Sequence, residues 1–474
     1  MCGFIGIIKL NGKDVAEELV TGLLSIQHRG QDSSGIITSD RSRFHIKKNA
    51  GLVSNVFSKS DVKSLKGNVG IGHVRYSTIG FDIENDSQPF FVNYPFGIAL
   101  AHNGNIANYE EIRSSLEKES HRQLTSRCDA ELILNVFADE MSRTSGDFSI
   151  GKVFDSLGPL MKKLNGSYSA VAIINGHGLL AFRDPNGLRP MIFGKNDSGF
   201  IFASETVVLN LLDYTYIRDV KPGEAIFIDN NGKIHSKIID AREKTPCMFE
   251  WVYFARPDST IEGRSVYDVR LRLGEELAKR WDKDVDVVIP VPDTSRTAAM
   301  GFAKAIGAEY REGLIKNRYV GRTFIMPAQK KRDNAVKLKL NPITSEIKGK
   351  KIALVDDSIV RGTTSKRLVS LLRKYGAKEI HLVVTCPPIK YPCFYGIDIA
   401  TRKELIASDK SVEEIRKFLG ADSITYQTIE GLKRAIGMNS ICTACLTGNY
   451  PTNISETDIS RFEKIREEER SRVV

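Results

Sequence analysis

The first 240 residues carry short apolar segments, GFIGII, NVGIGHV, GIALAHN, YSAVAII, GLLAF and GFIFAS, each broken off by Gly, Asn, Asp or Pro. Short apolar runs bounded by such residues predict β-strands, and their number predicts a sheet-rich domain. Between them, Asp14 to Gln27, Asn108 to Glu119 and Asp129 to Met141 space their apolar residues as helices that pack on a sheet face. A layered α+β architecture is expected for residues 2–240. Further on the pattern changes. DVVIPVP, KIALVDD and EIHLVVT read as strands, RTAAMGFAKAIG and TSKRLVSLLRKYG as helices, and their alternation predicts parallel βαβ units in a second, α/β domain, residues 241–474. Lys316 to Ile343 is polar with little apolar period, longer than compact domains leave unstructured without a function, and reads as a mobile loop. Ser455 to Val474 reads as a charged, solvated helix.

Length and composition agree with this division. A chain of 474 residues exceeds what one core usually holds, and 41% hydrophobic with 27% charged residues excludes a largely disordered chain. No apolar run approaches the roughly eighteen residues of a membrane span, and no basic segment precedes the first apolar stretch, so a cytoplasmic location without membrane contact is expected. The net charge of +10 is uneven: residues 1–240 hold 26 Lys+Arg against 27 Asp+Glu, the remainder 42 against 31, giving −1 and +11. A basic half suits nucleic acid, an anionic membrane or a phosphorylated small molecule. The cluster Lys330, Lys331, Arg332, Lys337, Lys339 lacks the stacking aromatics of a nucleic-acid site, so a polyphosphate substrate is the better reading and no nucleic-acid partner is expected.

Seven cysteines, an odd number in a long chain, argue for catalytic or metal-binding thiols over a disulfide framework. Cys2 follows the initiator and precedes the small Gly3, so removal of Met1 leaves a free α-amine on the residue that carries the thiol. An α-amine titrates near ~7.7–8.0 and can take the thiol proton, so nucleophile and base share one residue. Cys2 alone is weak evidence, but it stands with Gln27-His-Arg-Gly-Gln-Asp, Gly72-His-Val-Arg-Tyr-Ser-Thr and Ala101-His-Asn-Gly-Asn-Ile. Together these motifs resemble the glutaminase domain of N-terminal-nucleophile (Ntn) amidotransferases, over most of residues 2–240. The resemblance implies an Ntn layered sandwich with Cys2 as nucleophile, Asn103 and Gly104 as oxyanion hole, Arg75 on the glutamine α-carboxylate and Asp129 on its α-ammonium. Taken singly, Arg75 and Asp129 also fit structural ion pairs.

In the second half, Ala353-Leu-Val-Asp-Asp-Ser-Ile-Val-Arg-Gly-Thr-Thr-Ser sets two carboxylates at the end of an apolar strand, ahead of a Gly/Thr/Ser turn that opens a helix. Ligands of open α/β sheets bind at that strand end. Turn N–H groups with the hydroxyls of Ser358, Thr363, Thr364 and Ser365 suit a monophosphate, and Asp356 and Asp357 suit sugar hydroxyls and hydrated Mg²⁺. The segment resembles the signature of type I phosphoribosyltransferases, which bind phosphoribosyl pyrophosphate (PRPP). That implies PRPP contacts from Asp356, Asp357, Ser358, Arg361, Gly362, Thr363 and Thr364, a pyrophosphate and metal loop at Ile289-Pro-Val-Pro-Asp-Thr-Ser-Arg with Thr294, Asp356 and Asp357 at Mg²⁺, and a lid opening at Lys316.

The two halves in this order resemble the glutamine PRPP amidotransferase family over nearly the whole chain. Membership implies that ammonia from glutamine passes internally to PRPP to give 5-phosphoribosylamine, the first step of purine biosynthesis, with inhibition by purine nucleotides and a homotetramer. A different glutamine amidotransferase would share only the first half, and an inactive regulatory relative would not need Cys2 and the acid pair intact. Finally, Cys442-Thr-Ala-Cys445 has metal-chelating spacing, and Cys247 and Cys393 can complete a set of four for zinc or an iron–sulfur cluster. Part of the family carries a [4Fe–4S] cluster at matching positions, which favours the cluster. Its cluster-bearing members often have a short propeptide before the cysteine, where this chain has only Met1. Cys128 and Cys386 read as small buried residues.

Overall fold

The computed structural model describes residues 2–76, 84–143, 146–317, 340–399 and 401–471. Most of the stretch expected to form the lid, 318–339, lies outside the described residues.

Residues 3–238 build two antiparallel sheets. The first has seven strands in the spatial order Thr215–Asp219, Ile192–Asn196, Gly199–Ala203, Gly3–Lys9, Val69–Arg75, Ser33–Ser39, Phe44–Ala50. The second has six: Ile234–Ile238, Glu224–Asp229, Gly178–Arg183, Gly166–Ile174, Ile98–Ile106, Phe90–Val92. Successive side chains of a strand point to opposite faces, and here both faces are covered. Phe4 and Ile8 meet Ala99, Ala101 and Val171 between the sheets, while Ile5 and Ile7 pack outward on Leu19 and Leu23 of helix Ala16–Ser25. On the far side, Leu100, Ala170 and Ala172 pack beneath helices Asp129–Arg143 and Ile150–Lys163. The result is the layered helix, sheet, sheet, helix arrangement expected from the segment pattern.

The second domain is a five-stranded parallel sheet, Glu309–Tyr310, Val287–Pro290, Lys351–Asp356, Glu379–Val384, Ser423–Tyr426. Ile352 and Leu354 face helix Thr363–Lys374 through Leu368 and Leu372, whereas Ala353 and Val355 face helix Arg296–Ile306 through Ala299 and Phe302. Burial on both faces is why these strands read as unbroken apolar runs.

The chain crosses between domains along Pro185–Leu188: the amides of Arg242, Thr245 and Cys247 donate to the carbonyls of Pro185, Asn186 and Leu188 at 2.9, 2.9 and 3.1 Å. The C-terminal helix, Glu456–Ser471, corrects one expectation. Rather than being solvated all round, it buries Ile459, and its Phe462 ring lies 4.6 Å from that of Phe394, because these two apolar positions complete a cluster at the domain junction. Among the described residues, no helix is long and apolar enough to cross a membrane.

Candidate active sites

The first site is assembled where the two sheets of the first domain face each other. Gly3 pairs with Val74, so Cys2 ends the central strand beside Arg75 and Tyr76, its thiol 3.8 Å from the Tyr76 carbonyl oxygen. Across the sheet interface stands Asn103, and the Cys2 N–H donates to its Oδ1 at 3.3 Å. The side-chain nitrogen of Asn103 is buried and has no partner among the described residues, which leaves a donor free beside the thiol. Gly104 follows on a strand so close to its neighbour that a Cβ would lie 1.9 Å from the Ser167 carbonyl oxygen, so only glycine fits.

Cys2, Arg75, Gly104 and Asp129 line one cavity of about 130 Å³, with Asn103 buried behind it. Arg75 is buried and reaches Asp86 at 3.3 Å, and Asp129, at the start of helix Asp129–Arg143, meets His102 Nε2 at 2.8 Å. Both thus take part in the structural pairs the sequence also allowed, and both face the cavity. Burial works to raise the Asp129 carboxyl, but His102 and then Arg75 outweigh it and hold it below its usual range. A sequence motif contained His102 without suggesting its task, and Phe394, Arg461 and Phe462, which close the cavity from the second domain, carry no local signal at all.

The second site lies at the C-terminal edge of the parallel sheet. Strand Lys351–Asp356 delivers Asp356 and Asp357 to a loop that turns into helix Thr363–Lys374 at Gly362, whose φ of +73° lies in the left-handed region. The loop is pinned to the next strand by Thr385 N–H on the Asp356 carbonyl (3.0 Å) and Cys386 N–H on that of Asp357 (2.9 Å). Ser358 Oγ donates to Asp357 at 2.7 Å. Burial, with Asp357 adjacent, pushes the Asp356 carboxyl well up. Burial likewise pushes Asp357 up to about 6, although Ser358 and Arg270 pull against it. Strand Val287–Pro290 runs alongside, Val291 N–H donating to the Val355 carbonyl at 2.8 Å, so the loop with half-buried Thr294 sits on the same edge. Lys316 reaches Asp293 of that loop at 2.9 Å, and Thr363 and Thr364 are exposed at the helix start. Arg361 is turned to Glu404 at 3.4 Å. All three expected segments therefore meet on one edge.

The four cysteines proposed for a cluster come together at the domain junction. Cys247 and Cys442 pair through the main chain as an isolated parallel β-bridge; Lys390 and Tyr391 N–H donate to the Cys445 carbonyl at 2.9 and 3.0 Å; Tyr395 N–H donates to Cys393 Sγ at 3.3 Å. Cys247 and Cys445 share an apolar core against which Cys393 packs, and Cys442 adjoins it. Burial pushes the Cys247 thiol up to about 11. Among the described residues, no three His, Cys, Asp or Glu side chains form a group that could hold a metal ion. Cys128 and Cys386 are buried free thiols, as expected.

Comparison with known proteins identifies both domains. Residues 73–210 match the glutamine amidotransferase domain family and residues 266–420 the phosphoribosyl transferase domain family. The chain is 47% identical to the amidophosphoribosyltransferase of Methanocaldococcus jannaschii over 98% of this chain and 99% of that one. With the Escherichia coli amidophosphoribosyltransferase the identity is 44% over 92% and 89%. The solved structure of glutamine PRPP amidotransferase from B. subtilis, complexed with ADP and GMP, matches with a TM-score of 0.87 at 39% identity, covering 96% of this chain and 98% of that one. An Ntn glutaminase joined to a phosphoribosyltransferase, in a chain this similar from end to end, leaves no room for an amidotransferase of another class: the chain belongs to the amidophosphoribosyltransferases, the enzymes that aminate PRPP with glutamine in the first step of purine biosynthesis.

Proposed function

We propose that the two sites divide this reaction as follows. Once Met1 is removed, the α-amine of Cys2 takes the thiol proton and the thiolate attacks the glutamine amide carbon. Asn103 Nδ2, the buried donor without a partner, and the Gly104 N–H hold the tetrahedral oxyanion. Arg75 takes the α-carboxylate in its planar fork and Asp129 the α-ammonium. The Cys2 α-ammonium returns the proton to the amide nitrogen, ammonia leaves, and water releases glutamate from the thioester. That Phe394 and Phe462 of the second domain close the cavity at Cys2 supports an internal passage for ammonia.

At the other site, the N–H groups and hydroxyls between Ser358 and Thr364 cradle the 5-phosphate, and Asp356 and Asp357 hold the ribose hydroxyls. Ammonia attacks C1 as pyrophosphate departs, and excluding water protects PRPP from hydrolysis. The donor set fits Mg²⁺: buried Asp356 and half-buried Asp357 stand side by side, with Arg270 as compensating charge at Asp357, and Asp356, Asp357 and Thr294 would hold the ion. When bound, Mg²⁺ neutralises charge developing on pyrophosphate.

Cys247, Cys393, Cys442 and Cys445 lie in adjoining apolar clusters at one junction, Cys393 Sγ accepting a backbone N–H, and an all-thiol donor set of this kind suits a [4Fe–4S] cluster. Cys247, Cys393, Cys442 and Cys445 would hold it, and its role is structural. Purine nucleotides as inhibitors, a homotetramer and a cytoplasmic location complete the proposal; the B. subtilis relative bound to ADP and GMP supports the first.

The observation that carries the division of labour is the Asn103 Nδ2, without a partner among the described residues, behind the cavity that Cys2 lines, remote in sequence from the acid pair. Cys2→Ala tests it. The variant is expected to lose glutamine-dependent synthesis and keep synthesis from high external ammonia; loss of both in a folded variant contradicts it.

A further inference from the structure

Arg29 lies in a motif that neither site above employs, and its side chain is fully buried. Nε donates to the carbonyl oxygen of Cys2 at 3.0 Å, Nη1 binds Glu205, and Nη2 donates to both carboxylate oxygens of Glu250 at 2.8 and 2.9 Å. Gly3 makes room for it, since a Cβ there would stand 3.2 Å from Arg29 Cδ. Glu250 belongs to the second domain and also approaches Arg189 Nη1 at 3.4 Å. Arg189 Nε in turn donates to the Tyr395 carbonyl at 2.7 Å, one residue beyond Phe394, which closes the glutamine cavity. Glu205 is itself held by second-domain groups, Ser259 Oγ at 2.6 Å and the Arg256 N–H at 3.0 Å. Two guanidinium groups and two carboxylates, with His28 Nε2 also on Glu205 at 2.8 Å, thus form a buried network that crosses the domain junction and ends on the main chain of Cys2.

We infer that Glu250 is a positioning residue for glutamine hydrolysis, through which the second domain fixes Arg29 and thereby the main chain of Cys2. The inference rests on the reading of Cys2 as nucleophile. Three donors on three partners, Nε on Cys2, Nη1 on Glu205 and Nη2 on Glu250, hold the guanidinium in one orientation, and with Glu250 neutralised Arg29 keeps Glu205 as the one charged partner of these and gains freedom to turn. The Cys2 carbonyl then loses its fixed donor. Displacing a nucleophile by a fraction of an ångström lowers turnover, whereas glutamine binding by Arg75 and Asp129 on other elements is untouched.

The test uses the full-length protein. In Glu250→Gln, glutamine-dependent turnover is expected to fall about tenfold or more with the glutamine KM unchanged within about twofold, and ammonia-dependent synthesis is expected to hold within about twofold. Alkylation of Cys2 by an electrophilic diazo-ketone analogue of glutamine is expected to slow by the same factor as turnover. Glu250→Asp, which keeps the charge but is one methylene short, is expected to fall between wild type and Glu250→Gln, and it decides the matter should Glu250→Gln fail to fold. Wild-type turnover, a rise in KM alone, or an equal loss with ammonia and glutamine overturns the inference. Cys2→Ala run beside them separates the two levels: glutamate release surviving in Cys2→Ala removes the nucleophile assignment itself, whatever Glu250→Gln does.

Discussion

The side-chain amide of Asn105 donates to the main-chain carbonyl of Phe394 at 2.9 Å, joining the strand of Asn103 and Gly104 to the segment just past Cys393. Ser167 Oγ repeats the link on Tyr395 at 3.0 Å, and Gly396 lies so near that a Cβ would stand 2.7 Å from the Gly104 carbonyl oxygen. The second domain therefore forms the far wall of the first domain's site.

Gly396 has φ +91° as well as that close contact, so Gly396→Ala strains the backbone and pushes the wall from Gly104. We expect a loss of about 1–3 kcal/mol in unfolding free energy. More telling, ammonia should escape through the loosened wall, so glutamate is released in excess of pyrophosphate. Calorimetry and a paired product assay read the two effects; wild-type stability with balanced products contradicts the wall.

Asp356→Asn and Asp357→Asn should each lower PRPP-dependent pyrophosphate release by about a hundredfold or more with either nitrogen donor, since the ribose and metal contacts proposed for them would serve both reactions. Alkylation of Cys2 by the diazo ketone should continue in both variants. Unchanged PRPP affinity and turnover would remove the acid pair from the site.

Iron analysis of protein purified without oxygen should give about four irons per chain and a brown colour. Because the cluster would tie together segments 247, 393 and 442–445, loss of colour in air should be accompanied by loss of stability. A colourless, stable protein with bound zinc would replace the cluster while leaving both active sites intact, because neither draws a residue from these four.

Much of this architecture is legible in the chain because strands such as Gly3–Lys9 and Lys351–Asp356 are apolar on both faces. Strand Phe44–Ala50 carries Lys47 and Lys48 at a sheet edge and gives no such signal. Helix Ile150–Lys163 contains Pro159, a residue read as a breaker, and is held by burying Val153, Leu157 and Leu160 against the sheet. Cys2, Arg75, Asn103 and Asp129 stand out as motifs, yet Cys2 and Asn103 meet only because two sheets stack. The parts of Glu250 and Phe394 depend on contacts across more than two hundred residues, and no local pattern encodes them.

The central claim is that one chain couples glutamine hydrolysis at Cys2 to PRPP amination at Asp356 and Asp357. The most direct measurement supplies glutamine, PRPP and Mg²⁺ to the purified protein and follows glutamate and pyrophosphate together. The account predicts that both appear in equal amounts, and that without glutamine pyrophosphate appears only when ammonia is added. Glutamate formed at full rate with no pyrophosphate, or pyrophosphate formed from glutamine by Cys2→Ala, would contradict it.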